Sequence, residues 1–467
     1  MHGNVIAQVS TPPGKGGVAV IRMSGAGAFE IADRVFLPIS GKRISDYPAR
    51  TQIYGYIIYN EEKIDDGMLT AFPGPRSYTG EDTVEISCHG GILVTRTVLE
   101  ALFAAGAVSA EAGEFTRRAF INGKLSLSEA EAIGTLLEAT SREQIRLSAS
   151  PARAKLSEAV SDIRVSLTSL MSSIYARIDY PDEDLGEFTD DETLETLEAI
   201  RKSLRRLIDT YRTGRAINEG IATVICGKPN VGKSTLYNLL AGEDAAIVTD
   251  VAGTTRDILE RTVSLGRVTL RITDTAGVRS GDEVGTVEKI GIGKSKDRIA
   301  SSELILALFD LSRELDESDR ELIGEISEAQ GYKVCILNKS DLVKDGVAPF
   351  DTSLIPEGVF SEVITISADK DNSGALETLA KLVDRLFTDE KISAGQDAIV
   401  SSARQHASLL RACSFIDTAI EAYRLGLPAD AASSDVEMAI GAISELDGRA
   451  VSDSIVNDIF SKFCVGK

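Results

Sequence analysis

Apolar and polar positions divide the chain into stretches of different periodicity. In roughly the first 120 residues, 18–23 and 51–59 are rich in Val, Ile and Tyr and predict strands. Residues 83–87 alternate as a shorter strand, His89-Gly90-Gly91 predicts a turn, and an apolar helix follows through Ala105. From Asn122 the pattern becomes helical. Ser128 and Glu131 have the spacing of a capping box, and an Ala/Leu/Ser/Glu-rich helical run extends to Tyr180, divided at Pro151. Residues 179–192 hold eight acids in fourteen positions around Pro181 and Gly186 and predict a loop. Residues 193–215 are helical and basic, with Arg201, Lys202, Arg205, Arg206, Arg212 and Arg215. A charge run of this kind reads first as a solvated face.

From 221 to 387 strands and helices alternate. Apolar strands at 222–226, 268–273, 304–310, 334–338 and 363–367 predict a doubly wound, mostly parallel sheet. After Lys391 the helical pattern returns to the end. The expected architecture is α/β and α: an N-terminal α+β domain, then a helical domain into which an α/β domain is inserted. The two helical stretches would pack on each other. Expected boundaries are 1–121, 122–215 for the first helical part, 216–390 for the inserted domain and 391–467 for the second helical part.

The 467 residues suit about three domains. Lys plus Arg number 50 against 71 Asp plus Glu, a net charge of −21. That excludes a protein that coats nucleic acid through a uniformly positive surface, though not a local basic patch. Cys88, Cys226, Cys335, Cys413 and Cys464 are odd in number, far apart and without a CxxC pair, so neither a disulfide framework nor a zinc site follows. With no membrane-length apolar run and no targeting pattern at the start, the expectation is a cytoplasmic bacterial protein.

Gly227-Lys228-Pro229-Asn230-Val231-Gly232-Lys233-Ser234 matches G-x-x-x-x-G-K-S between a buried strand and a helix. Glycines let successive N–H groups face phosphate oxygens, and the helix N-terminus adds its dipole. Lys233 would reach the β- and γ-phosphates as a catalytic group, Ser234 would ligate Mg²⁺, and Thr235 follows in the same grip. Asn338-Lys339-Ser340-Asp341 at a later strand end is a guanine reader, with Asp341 accepting from the ring N–H and exocyclic amine. Ser367-Ala368 follows the next strand, placed for the guanine carbonyl. Between them Asp274-Thr275-Ala276-Gly277 would hold Mg²⁺ through water at Asp274 and meet the γ-phosphate at the Gly277 N–H. Three motifs in this order define a GTPase of Ras-like P-loop type.

Val278 follows Gly277 where many GTPases place a water-orienting Gln. Thr249-Asp250-Val251-Ala252-Gly253-Thr254-Thr255-Arg256-Asp257 forms the first switch, with Thr255 as a further Mg²⁺ ligand. Asn230 reads equally well as a turn residue or as a ligand for a monovalent cation beside the phosphates.

The chain resembles the MnmE or TrmE family of tRNA modification GTPases from end to end. Outside the GTPase motifs, the resemblance rests on 11–18 (TPPGKGGV) leading to Ile21-Arg22-Met23-Ser24-Gly25, and on Phe72-Pro73-Gly74-Pro75. It also rests on Tyr78-Thr79-Gly80-Glu81-Asp82, on 113–120 (GEFTRRAF) and on the terminal Phe463-Cys464-Val465-Gly466-Lys467. The family's usual G-R-G-G is Gly14-Lys15-Gly16-Gly17 here, and two extra residues lie between Gly277 and Glu288.

The resemblance implies a K⁺-activated GTPase that forms a homodimer through its N-terminal domain. It implies a flavin-dependent partner of the MnmG or GidA type in a heterotetramer, and a tRNA whose wobble uridine gains an aminomethyl or carboxymethylaminomethyl group on carbon 5. A tetrahydrofolate derivative would donate the one-carbon unit, 5,10-methylene as donor and 5-formyl as analogue. Residue by residue it implies K⁺ on Asn230, Thr249, Val251 and Thr254, and a water-positioning role for Glu288, which by itself reads as a solvated helix-start acid. It implies folate contacts from Arg22, Glu85, Lys124 and Lys467, with cations for the glutamate tail and the acid for the pterin. It also gives Cys464 a chemical role. His89 reads as a turn-stabilising or folate-neighbouring residue. The competing readings are a ribosome-assembly, RNA-binding GTPase switch without modification chemistry, and a non-catalytic folate-binding scaffold.

Overall fold

The computed structural model describes residues 3–179, 189–242, 260–273, 297–343, 348–370, 372–449, 451–463 and 466. The chain forms two compact units, Met1–Leu137 with Gly441–Lys467, and Glu138–Ile440.

The first unit is built on strands β1 (Ile6–Val9), β2 (Val18–Ser24), β3 (Phe36–Pro38), β4 (Gln52–Tyr59), β5 (Glu62–Phe72), β6 (Thr83–His89) and β7 (Val108–Ser109). They run β3-β4-β5-β6-β2-β1-β7, antiparallel except for the β1–β7 pair. On β2, Ala19, Ile21 and Met23 are buried at a spacing of two, and they meet Val98, Ala101 and Leu102 of the helix Ile92–Ala104 in one core. Burying each large side chain contributes about 1.5–3 kcal/mol. The same alternation turns Arg22 to the opposite face.

Three strands predicted from periodicity are present, and β5 is added to them. Its sequence, EKIDDGMLTAF, carries charges where a strand pattern needs apolar residues, and only Leu69 and Ala71 are buried. Backbone pairing with β4 on one side and β6 on the other holds it. A second cluster in this unit joins Leu127 and Ala130 to Val456, Phe460 and Phe463. The capping box falls two residues earlier than its predicted place. Ser126 and Glu129 bond each other's backbone N–H, while Ser128 is buried and donates to the Leu446 carbonyl at 2.9 Å.

The second unit holds β8 (Ile221–Gly227), β9 (Glu260–Leu265), β10 (Val268–Thr273), β11 (Leu304–Asp310), β12 (Tyr332–Asn338) and β13 (Glu362–Thr365). Their order is β13-β12-β11-β8-β10-β9, parallel except for β9 against β10. All seven residues of β11 are buried, as a central strand covered on both faces requires. The domain is therefore the expected doubly wound sheet.

Pro151 lies in the first turn of the helix Ser150–Asp179, where its missing N–H costs nothing. Thr189 and Glu192 cap the next helix, Asp190–Asp209, so its start lies inside the acidic stretch read as a loop. That helix lies against Ala403–Arg424, which returns after the α/β domain. Basic residues of that helix and of the next, Tyr211–Asn218, join the packed elements. Arg201 and Arg205 pair with Asp417, and Arg212 and Arg215 reach Tyr332 and Glu303. Among the described residues no helix is long and apolar enough to cross a membrane.

Candidate nucleotide-binding site

β8 ends at Gly227, and the helix Lys233–Ala241 begins six residues later. The turn between them needs two glycines. A Cβ on Gly227 would stand 2.6 Å from the Leu308 carbonyl oxygen, and one on Gly232 would stand 2.2 Å from Asn338 Nδ2. Gly232 also has φ +105°, a left-handed value that only glycine reaches freely. It caps the helix with no side-chain hydrogen bond, so the first N–H groups remain for an anion. Asn230 is exposed at φ +65°, a conformation Asn tolerates better than most residues, which accounts for it as a turn residue. Ser234 is exposed and Thr235 half-buried on the first helical turn. Lys233 Nζ donates to the carbonyls of Gly227 and Lys228, each at 2.7 Å, and burial lowers its pKa.

The predicted base-reading residues join this turn directly. Asn338, 3% exposed at the end of β12, donates from Nδ2 to the Val231 carbonyl at 2.9 Å. Its Oδ1 accepts from the Ala368 N–H at 3.1 Å. One amide therefore ties the phosphate turn to the segment after β13. Asp341 is exposed and accepts from the Ser367 hydroxyl at 2.6 Å. Lys339 has φ +64° and places its ammonium 2.7 Å from Asp310. No sequence motif includes Asp310, whose only signal along the chain is an acid closing an apolar strand.

In the first unit, Arg22 and Glu85 are register partners on β2 and β6 and pair at 2.8 Å. The Arg22 guanidinium lies 5.4 Å from the Tyr78 ring centre and 5.8 Å from that of Phe115. Lys124 donates to the Pro75 carbonyl at 3.0 Å, and Asn122 donates to the Thr79 carbonyl at 2.7 Å, so the 122–124 turn sits on the loop that carries Tyr78. Gly466 accepts from the Ser10 hydroxyl at 3.1 Å, just past β1, the strand beside β2. His89 closes β6 with both its N–H and its ring Nδ1 on the Asp65 carboxylate, and that hydrogen bond raises its pKa. The predicted residues Thr249, Asp250, Val251, Ala252, Gly253, Thr254, Thr255, Asp274, Thr275, Ala276, Gly277, Glu288, Cys464 and Lys467 lie outside the described residues.

A glycine-bounded turn between a parallel strand and a helix, locked to a base-reading loop two strands away at the same end of the sheet, defines a P-loop nucleotide-binding protein. Known proteins narrow that class. The description "MnmE helical domain" matches residues 127–464, and "GTP-binding protein TrmE N-terminus" matches residues 5–124. A tRNA modification GTPase MnmE of Clostridioides difficile is 36% identical over 99% of both chains. One from Listeria welshimeri is 38% identical over the full length of both. The solved structure of Era with MgGDPNP and a 16S ribosomal RNA segment is 24% identical over 41% of this chain and 65% of that one. Its TM-score is 0.27. The chain belongs to the MnmE family of tRNA modification GTPases.

Proposed function

We propose that this GTP hydrolase is activated by K⁺ and, as a homodimer with a flavin-dependent partner of the MnmG type, modifies carbon 5 of the wobble uridine of tRNA. The one-carbon unit comes from a tetrahydrofolate derivative, and the work is done in the cytoplasm. We assign folate binding and dimerisation to 1–121, hydrolysis to 216–390, and the supporting helical domain to 122–215 and 391–467.

The observation that carries the hydrolytic half is the Asn338 amide bridging Val231 and Ala368. It sets the phosphate-binding and base-reading elements at one mouth of the sheet, the place where open α/β sheets take ligands. The helix N-terminus, which no side chain caps, suits a nucleotide phosphate. Ser234, with Thr255 and Asp274, would hold Mg²⁺. Asn230, with Thr249, Val251 and Thr254, would hold K⁺. Bound cations would supply positive charge to the transferring phosphoryl group. Lys233 holds the phosphates, Asp341 selects guanine, and Glu288 orients the attacking water.

The folate half is supported by Arg22, Glu85 and the ring of Tyr78, with Lys124 on the adjoining loop and Gly466 beside β1. An aromatic-flanked cation suits a ligand with a flat ring and carboxylates. Lys467 follows Gly466 in the chain, and Cys464 lies two residues before it. The deciding experiment is mass spectrometry of tRNA nucleosides from cells lacking this protein. The expected result is loss of the modified wobble uridine, and unchanged uridines would reject the assignment.

A further inference from the structure

The segment 310–319 runs from the end of β11 into the first turn of the helix Glu317–Ser327. None of its residues belongs to a nucleotide motif. Asp310 Oδ2 accepts from Lys339 at 2.7 Å, and its Oδ1 accepts from the Ser312 N–H at 3.0 Å and the Ser312 hydroxyl at 2.6 Å. Further along, Asp316 and Asp319 form the reciprocal capping box of the helix. The Lys228 ammonium donates to the Asp316 carboxylate and lies 3.5 Å from Asp319 Oδ2. Arg313 touches both acids, at 3.1 and 3.4 Å. The Asp319 side chain is 3% exposed. Two lysines, one from the phosphate turn and one from the base-reading loop, thus end on one short acidic segment.

We propose that 310–319 is a bracket that positions the two nucleotide-binding loops, Asp310 acting through Lys339 and Asp316, with Asp319 behind it, acting through Lys228. The inference rests on reading 227–235 and 338–341 as a guanine nucleotide site. Lys339 occupies the left-handed region, which a lysine enters only against steric strain. A carboxylate already immobilised by Ser312 holds it there. The next residues form the short turn Ser340–Leu342, which presents Asp341. On the phosphate side, the Lys228 carbonyl is one of the two acceptors of the Lys233 ammonium. Anchoring the Lys228 side chain fixes the peptide on which Lys233 leans.

Burial pushes the Asp310 carboxyl up, but Lys339 and Ser312 outweigh it and leave it below the usual carboxylate range. Asp316 is held down to about 2, chiefly by Lys228. The Asp310 and Asp316 carboxylates therefore stay charged through neutral pH.

The test uses the full chain, with GDP and IDP affinities measured beside thermal unfolding. IDP lacks the exocyclic amine that Asp341 would read. Asp310→Asn should weaken GDP roughly tenfold and IDP less, narrowing the ratio, because the base-reading turn loses its hold. Asp316→Asn, which keeps a helix-capping oxygen but loses the charge that holds Lys228, should weaken both nucleotides alike, by roughly tenfold, because the phosphate grip is common to them. If either variant fails to fold, Ser312→Ala loosens the first pair and Lys228→Met removes the second, with the same split expected. An unchanged GDP/IDP ratio in the first arm, or unchanged affinities in the second, overturns the bracket. A wild-type chain with no preference for GDP over ADP overturns the nucleotide reading itself.

Discussion

Arg22 and Glu85 are each other's partners: Nε and Nη2 of the arginine both donate to one carboxylate oxygen, at 2.9 and 2.8 Å, across neighbouring strands. With Tyr78 and Phe115 beside the guanidinium, the arginine is held before any ligand arrives. Arg22→Ala should therefore weaken binding of 5-formyltetrahydrofolate by roughly tenfold or more, the scale of a lost charged hydrogen bond. Glu85→Gln should weaken it as well, by loosening Arg22. Titration of the ligand against each variant checks this, and wild-type affinity in both would remove the pair from the proposed folate site.

Gly232→Ala should be among the most damaging small changes in the chain. The new Cβ would displace the Asn338 amide that bonds Val231, and the left-handed backbone would be strained as well. Strain and a lost buried hydrogen bond together cost roughly 2–4 kcal/mol. Urea unfolding should show that loss, and GDP binding should fall with it. A variant of wild-type stability would mean that Asn338 can move aside freely.

The monovalent ion is tested at Asn230. With Val278 in place of a water-orienting Gln, K⁺ is expected to stimulate GTP hydrolysis strongly and Na⁺ weakly. Loss of one such charge-stabilising contact lowers the rate about 10²–10³-fold. Asn230→Ala should abolish most of the K⁺ effect while nucleotide binding through Lys233 persists. Matched assays in KCl and NaCl decide it, and equal wild-type rates in the two salts would sink the proposal.

Glu288→Ala should leave GTP affinity nearly unchanged, since the proposed grip on the phosphates is Lys233 with the helix N-terminus and that on the base is Asn338 with Asp341. Turnover should fall ~100-fold or more, the usual loss for a well-placed base or water-orienting group. A parallel loss of GTP binding would show a structural role instead.

Cys464→Ser should separate the two halves of the protein. GTP turnover should stay near wild type, because the hydrolytic motifs lie within 221–390, while modified uridine in cellular tRNA should drop. Equal modification in variant and wild type would reduce Cys464 to packing.

Much of the α/β domain is legible because its strands are buried on both faces. The run Leu304–Asp310 is apolar until its last residue and needs no context to be read as a strand. The phosphate turn is legible for a related reason: steric limits allow few residues where Gly227 and Gly232 stand. β5 was not legible, because pairing on both sides, and not side-chain burial, makes it a strand. The capping box slipped by two residues because Ser126-x-x-Glu129 and Ser128-x-x-Glu131 share one pattern. The burial of Ser128 against Leu446, far along the chain, separates them.

By itself, the sequence determined the local chemistry: the glycine-bounded turn, the Asn-Lys-Ser-Asp loop, and the period of two that turns Arg22 away from Ile21 and Met23. These depend on backbone geometry within a few residues. Only the tertiary structure decided the pairings between distant segments: Asn338 with Val231, Lys339 with Asp310, Lys228 with Asp319, and Arg201 and Arg205 with Asp417. A buried polar group needs a partner, but its own sequence does not say which one. That choice is made when strand order and helix packing bring particular groups within hydrogen-bonding reach.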